Sequence, residues 1–250
     1  MTALLDLKDV SVSIDGRAIV RGASLAAAPG EFIGLIGSNG AGKSTLLRAA
    51  AGLIPIDCGA RRLKGDRFED IPFTERARRL AYLPQARPIF WSIPVRNIVA
   101  LGRFAYGASD NLSDPAIDRA MAEAGVEGLA ERPAAELSGG ELARVHLART
   151  LAAEAALILA DEPITALDPA HQFSVMALLQ QKAKQDCAII AALHDLQLAE
   201  KYCTRLVIID QGRIVADGPT TILNTKIARD VFSIKLQRET DSNAISLAPL

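Results

Sequence analysis

A chain of 250 residues, half of them hydrophobic, can bury a core of its own and is long enough for one large domain or one domain carrying an insert. Its 28 basic side chains are balanced by 29 acidic ones. It therefore lacks the basic footprint by which proteins hold nucleic acid through counterion release, and no DNA or RNA partner is expected. Cys58, Cys187 and Cys203 follow no metal-ligand spacing, every apolar run stops short of the ~18 residues a membrane span needs, and MTALLDLKDV lacks the features of a signal peptide. The expectation is a soluble, cytoplasmic chain in which Cys187, inside CAIIAAL, is a small buried hydrophobe.

In chain order, LDLKDVSVSI (5–14) alternates apolar and polar residues as a half-buried strand does, and DGR at 15–17 turns into a second strand, so an antiparallel β layer opens the protein. EFIGLIG (31–37) is a buried strand, followed by a glycine-rich turn and a helix over STLLRAAAGL (44–53), with Gly52 and Pro55 as stop signals. From 87 to 155 strand runs vanish. There SDPAIDRAMAEAG (113–125) predicts a helix with a serine cap, Pro115 in its first turn and Gly125 at its end. ALILADEP (156–163) and CAIIAALHD (187–195) are buried strands separated by a helix-length stretch, HQFSVMALLQQKAKQ, the alternation of a parallel α/β sheet. RLVIID and RIVADG form two more strands joined at Gln211-Gly212, and the tail from about 224 is polar and weakly patterned. This divides the chain into an α/β core with its β layer (1–86 and 156–223), a helical insert (87–155) and a tail (224–250).

GSNGAGKST fits G-x-x-x-x-G-K-[ST] through Gly37, Gly42, Lys43 and Ser44, with a strand before it and a helix after it. The backbone N–H groups of such a loop, running through Ser38, Asn39, Gly40, Ala41 and Thr45, form a nest for a phosphate. Lys43 adds a point charge on the β/γ oxygens, and the Ser44 hydroxyl is a hard ligand for Mg²⁺. Asp161 and Glu162 end an apolar strand as adjacent carboxylates, one suited to hold magnesium and the other to polarise a water. His194 follows a strand at the edge where α/β folds bind ligands. Gln85, in AYLPQ, stands where a ligand contact can be coupled to movement of the insert. At 137–141, LSGGE contains a capping box, Ser138 with Glu141. Yet Gly139 and Gly140 each cost about 1 kcal/mol in a helix relative to alanine. Bare backbone there suits a helix start that must touch a large anion.

Taken together these stretches resemble the ATPase subunit of ABC transporters over essentially the whole chain. GSNGAGKST is similar to the Walker A loop, YLPQ to the Q-loop, LSGGE to the signature, LILADEP to Walker B, ALDP (166–169) to the D-loop and His194 to the switch histidine. The resemblance implies an α/β P-loop ABC ATPase core with an N-terminal antiparallel β layer and an inserted helical subdomain. It also implies a second copy of the chain as partner, ATP being closed between one Walker A loop and the other copy's Ser138, Gly139 and Gly140. By the same resemblance Glu162 is the general base, Asp161 and Ser44 the magnesium residues, and Gln85 a sensor of γ-phosphate and Mg²⁺. His194 contacts the γ-phosphate, and Asp168 crosses to the partner site. Glu141 stands where glutamine is frequent.

In one respect the chain departs from the family, which stacks an aromatic ring on adenine: residues 1–31 hold no Tyr, Phe, Trp or His. Ile14 or Arg17 must substitute, and weak or base-tolerant binding is expected. IVALGRFAYG (98–107) and the ending RDVFSIKLQ are similar to importers of iron-siderophores, haem and cobalamin; read alone, LGR is a basic residue near a helix C-terminus. The resemblance further implies a separate membrane permease contacted through residues 86–106, with Phe90 and Trp91 as anchor, an indirectly coupled substrate-binding protein, and a place on the inner face of the cell membrane. The competing readings are an ATPase of lipid or lipoprotein export, a non-transport ABC ATPase and a P-loop kinase.

Overall fold

The computed structural model describes residues 2–85, 92–107, 112–165, 167–238 and 245–249. Strand β1 (Leu5–Ile14) returns through a tight turn as β2 (Arg17–Ala27). After β3 (Phe32–Ile36) and α1 (Lys43–Ala50), β4 (Cys58–Leu63) and β5 (Asp66–Arg67) join the first pair in an antiparallel sheet of order β2-β1-β4-β5. Next come α2 (Phe73–Arg79) and β6 (Leu80–Leu83). The helical stretch holds α3 (Val95–Ala100), a 3-10 turn over Leu101–Tyr106, α4 (Pro115–Glu123) and α5 (Gly139–Ala152). The chain then runs through β7 (Leu157–Asp161), α6 (Pro169–Ala183), β8 (Ala188–Ala192), α7 (Leu196–Tyr202), β9 (Arg205–Asp210) and β10 (Arg213–Gly218). It ends with α8 (Thr225–Phe232) and a hairpin of β11 (Ile234–Arg238) and β12 (Ile245–Pro249).

The central sheet has the order β10-β9-β3-β8-β7-β6, parallel except for β10 on one edge. Every residue of β3, β7 and β8 is buried. That accounts for their unbroken apolar runs: a parallel strand covered on both faces has no polar side to show. Alternate residues serve opposite cores. Phe32 and Ile36 pack with the helical stretch and with α6 and α7, whereas Ile33 and Leu35 pack with α1 and the antiparallel sheet. The two sheets are also joined by hydrogen bonds, with Arg205 of β9 donating to Ala26 O of β2 (3.0 Å). In the β9–β10 turn, the Gly212 N–H donates to Ala41 O (3.0 Å) and Gly212 O accepts from Arg21 N (2.8 Å). A Cβ on Gly212 would stand 2.2 Å from Ile19 O, so only glycine allows this approach.

Two expectations need correction. The helix placed at 113–125 is capped by Asp114, whose Oδ1 accepts from Ala116 N (2.9 Å), not by Ser113; both residues are good caps, and only the backbone geometry separates them. The tail is not weakly patterned: Ala228 and Leu236 are buried, and Ile227, Val231 and Phe232 pack against the core. A two-turn helix needs only a narrow apolar stripe, which polar neighbours mask in the sequence. LGR itself lies in the Leu101–Tyr106 3-10 turn, with Arg103 in its last turn. Arg103 is buried and donates to Ala152 O (3.1 Å) at the end of α5, while pairing with Asp114 (2.8 Å) and Glu154 (3.0 Å).

Candidate nucleotide site

The loop after β3 leaves the C-terminal edge of the sheet, where open α/β folds bind ligands. Its glycines answer to geometry. At Gly37 a Cβ would lie 2.1 Å from Ile209 O, and Gly42, just ahead of α1, has φ +105°, which L side chains avoid. No side chain caps α1, so its first N–H groups remain turned toward the loop. Lys43 folds back over the loop, Nζ donating to Gly37 O (2.7 Å) and Ser38 O (3.0 Å). Burial lowers the Lys43 pKa, against the pull of Glu162 and Asp161.

Asp161 and Glu162 stand beside this loop because β7 lies one strand beyond β8 from β3. The Ser44 hydroxyl donates to Asp161 Oδ1 (2.8 Å), and the Tyr82 hydroxyl lies 3.3 Å from Oδ2. Burial raises the Asp161 carboxyl above its usual range, with those two hydrogen bonds working in the opposite sense. Burial and the Asp161 charge push the Tyr82 phenol up as well. A hydroxyl and a carboxylate at 2.8 Å are hard oxygens of the kind Mg²⁺ takes. Among the described residues no cluster of three or more His, Cys, Asp and Glu could hold a metal by itself.

Glu162 adopts φ +50°, beyond the end of β7. Its Oε1 shares a 2.5 Å hydrogen bond with His194 Nε2, and its Oε2 accepts from Thr165 Oγ1 at 2.9 Å. Burial works to raise this carboxyl, but the His194 and Thr165 hydrogen bonds with the His194 and Lys43 charges outweigh it, and the net shift is downward.

The loop, Glu162 and His194 open onto one cleft of about 940 Å³, which the buried Asp161 reaches only through Ser44. Lys43, Ser44, Gln85, Glu162 and His194 line one end. The other end is formed by Ile14, Asp15, Arg17 and Ile19, with no aromatic ring among the described residues. Ser138, Gly139, Gly140 and Asp168 do not line it. Ser138 caps α5 in a full capping box, accepting from Glu141 N (3.3 Å) while its own N–H donates to Glu141 Oε2 (2.8 Å). Gly139 is exposed, and a Cβ there would meet nothing within 4 Å. Asp168 caps α6 through His171 N (3.0 Å) and pairs with the His171 ring (2.8 Å). Ala166 of ALDP, with Phe90 and Trp91, lies outside the described residues. Tyr82 and Thr165 went unnoticed in the sequence. Their only signals were proximity, Tyr82 three residues before Gln85 and Thr165 three after Glu162.

A phosphate-binding loop between a buried strand and a helix, with its serine bonded to a strand-end aspartate, defines a P-loop nucleotide hydrolase. The family model described as ABC transporter matches residues 20–165. The chain belongs to the ABC transporter family. It is 36% identical over 252 residues to a cobalamin import ATP-binding protein of Halobacterium salinarum, an alignment covering 98% of this chain and 63% of that protein. It is thus shorter than that relative. A hemin import ATP-binding protein of Pseudomonas aeruginosa is 36% identical over 239 residues, 93% of this chain and 94% of the other. A solved structure described as an ATP binding subunit of an ABC transporter matches with a TM-score of 0.77 at 29% identity, covering 90% of this chain and 92% of its own. No described helix is long and apolar enough to cross a membrane.

Proposed function

We propose that two copies of this chain close head to tail on ATP and reopen after hydrolysis, driving uptake of a metal chelate of the iron-siderophore, haem or cobalamin class through a separate permease. The observation that carries the dimer is Gly139. Nothing in its own fold calls for a missing side chain there, and it sits exposed at the start of a 14-residue helix outside the cleft. A bare helix start of that kind suits an anion brought by another chain, with Ser138 and the N–H groups of Gly139 and Gly140 meeting the γ-phosphate.

Within one copy, the loop from Gly37 to Thr45 wraps the β-phosphate, and Lys43 exchanges the carbonyls of Gly37 and Ser38 for phosphate oxygens. Ser44, Asp161 and Gln85 would hold Mg²⁺, which when bound neutralises phosphate charge. Glu162 takes the proton of the attacking water, His194 turns to the γ-phosphate, and Asp168 reaches the partner site. Ile14 and Arg17 pack on the base. The import reading and its substrate class draw on the names of the relatives and on IVALGRFAYG.

The permease seat, placed at 86–106, includes a shallow groove of about 290 Å³ between α2 and the Leu101–Tyr106 turn, where Phe73, Leu101 and Phe104 stand exposed. Such apolar groups beside a basic floor residue, Arg149, suit a protein interface. Through it the subunit sits on the inner face of the membrane, coupled indirectly to a substrate-binding protein.

The test is the solution mass of Glu162→Gln protein with Mg²⁺, without and then with ATP. We expect a shift from monomer to dimer on adding ATP, and its loss in the Ser138→Arg background. A protein that binds ATP and stays monomeric would sink the reading of LSGGE as a site acting across the dimer.

A further inference from the structure

The turn carrying Glu162 closes on its own carboxylate. Glu162 holds a left-handed backbone, which non-glycine residues adopt only where the surroundings enforce it. Thr165 supplies part of that enforcement twice over: its N–H donates to Glu162 O (3.3 Å), and its hydroxyl donates to Glu162 Oε2 (2.9 Å). The other carboxylate oxygen, Oε1, is bonded to His194, which comes from the loop after β8 and lines the cleft. The two oxygens are therefore unlike. One is held inside its own turn, and the other faces the cleft through a ring from a different loop.

A glutamate carboxylate turns about its last torsion in a broad, two-fold well, so a free one presents either oxygen at a wide range of angles. We propose that Thr165 is a positioning residue for ATP hydrolysis: its hydroxyl fixes the rotation of the Glu162 carboxylate and makes Oε1 the oxygen that meets the attacking water. This rests on Glu162 being the base. In that step the water's proton passes to Oε1, its oxygen bonds to the γ-phosphorus, and the bond to the bridging oxygen breaks, releasing ADP. Thr165 gives up no proton and touches no substrate. Its side chain lies in an exposed turn outside the core, so replacing it does not unpack the protein.

The experiment is steady-state ATP hydrolysis by the full chain. Thr165→Val should lower kcat about tenfold or more, as expected for losing a hydrogen bond to a charged group, with KM for ATP within about twofold. Thr165→Ser, which keeps the hydroxyl, should restore kcat to within about threefold. In the Glu162→Gln background, adding Thr165→Val should change the residual rate by less than about twofold, since the two residues act as one unit. A Thr165→Val enzyme with unchanged kcat, a Thr165→Ser enzyme that fails to recover, or a full further loss in the double variant would each overturn the proposal. If Glu162→Gln alone leaves kcat intact, the base reading itself fails, and that result is separate from the Thr165 outcomes.

Discussion

Two neighbouring carboxylates, Asp161 and Glu162, are perturbed in opposite directions, the first raised by burial and the second lowered by His194 and Thr165 against its burial. Adjacent acids with unlike surroundings suit unlike tasks. Both were legible in the sequence, because a strand-end pair after an apolar run is a local pattern. Tyr82 and Thr165 were not, since their importance lies in which oxygen each one touches. At the same scale, the aromatic ring missing from residues 1–31 is missing from the described lining of the cleft too, where Ile14 and Arg17 stand. Base stacking is worth about 1–3 kcal/mol. Ile14→Tyr should therefore tighten ATP binding about fivefold or more, read by calorimetry on the isolated chain; unchanged affinity would place the base elsewhere. The cysteines give a further check. Burial pushes the Cys187 thiol up to about 11 and Cys203 up to about 12, so neither supplies appreciable thiolate near neutrality, while Cys58 is exposed. One thiol per chain should react with an aromatic disulfide reagent at about pH 8, and all three after denaturation.

Among the elements, the buried strands were the easiest to read, because continuous apolar runs admit few alternatives when turns bound them. The ends of helices were harder. Ser113 and Asp114 are both credible caps, and α8 hid its stripe among polar residues. α5 was read correctly down to its capping box, and that box gives a prediction with two separable readouts. Ser138→Ala should cost about 1 kcal/mol of stability in urea unfolding without nucleotide, the usual loss for an N-cap. It should also weaken the ATP-induced dimer. If dimer formation is untouched while stability falls, Ser138 is a cap and nothing more.

Across the whole molecule, the central sheet separates two cores, one under the antiparallel layer and one under the helical stretch. The exposed groove at Phe73, Leu101 and Phe104 belongs to the second side. Phe104→Glu should abolish co-purification with the permease and leave the isolated chain's ATPase rate within about twofold of the parent, since exposed substitutions away from the site perturb little. Retained assembly would move the seat off this groove. The sequence pointed to one side of this surface through IVALGRFAYG, but not to Phe73, Ala77 or Arg149, which come from separate elements.

The turn at Gly212 bears on how such a molecule performs work. Its hydrogen bonds to Ala41 and Arg21 tie strand β2, which leads away from the Ile14–Arg17 end of the cleft, to the glycine-rich loop. The two ends of the cleft are thus tied through a single glycine. On the proposed reading of this cleft as a nucleotide seat, closure over the ligand is then the task of parts that approach this wall from outside it.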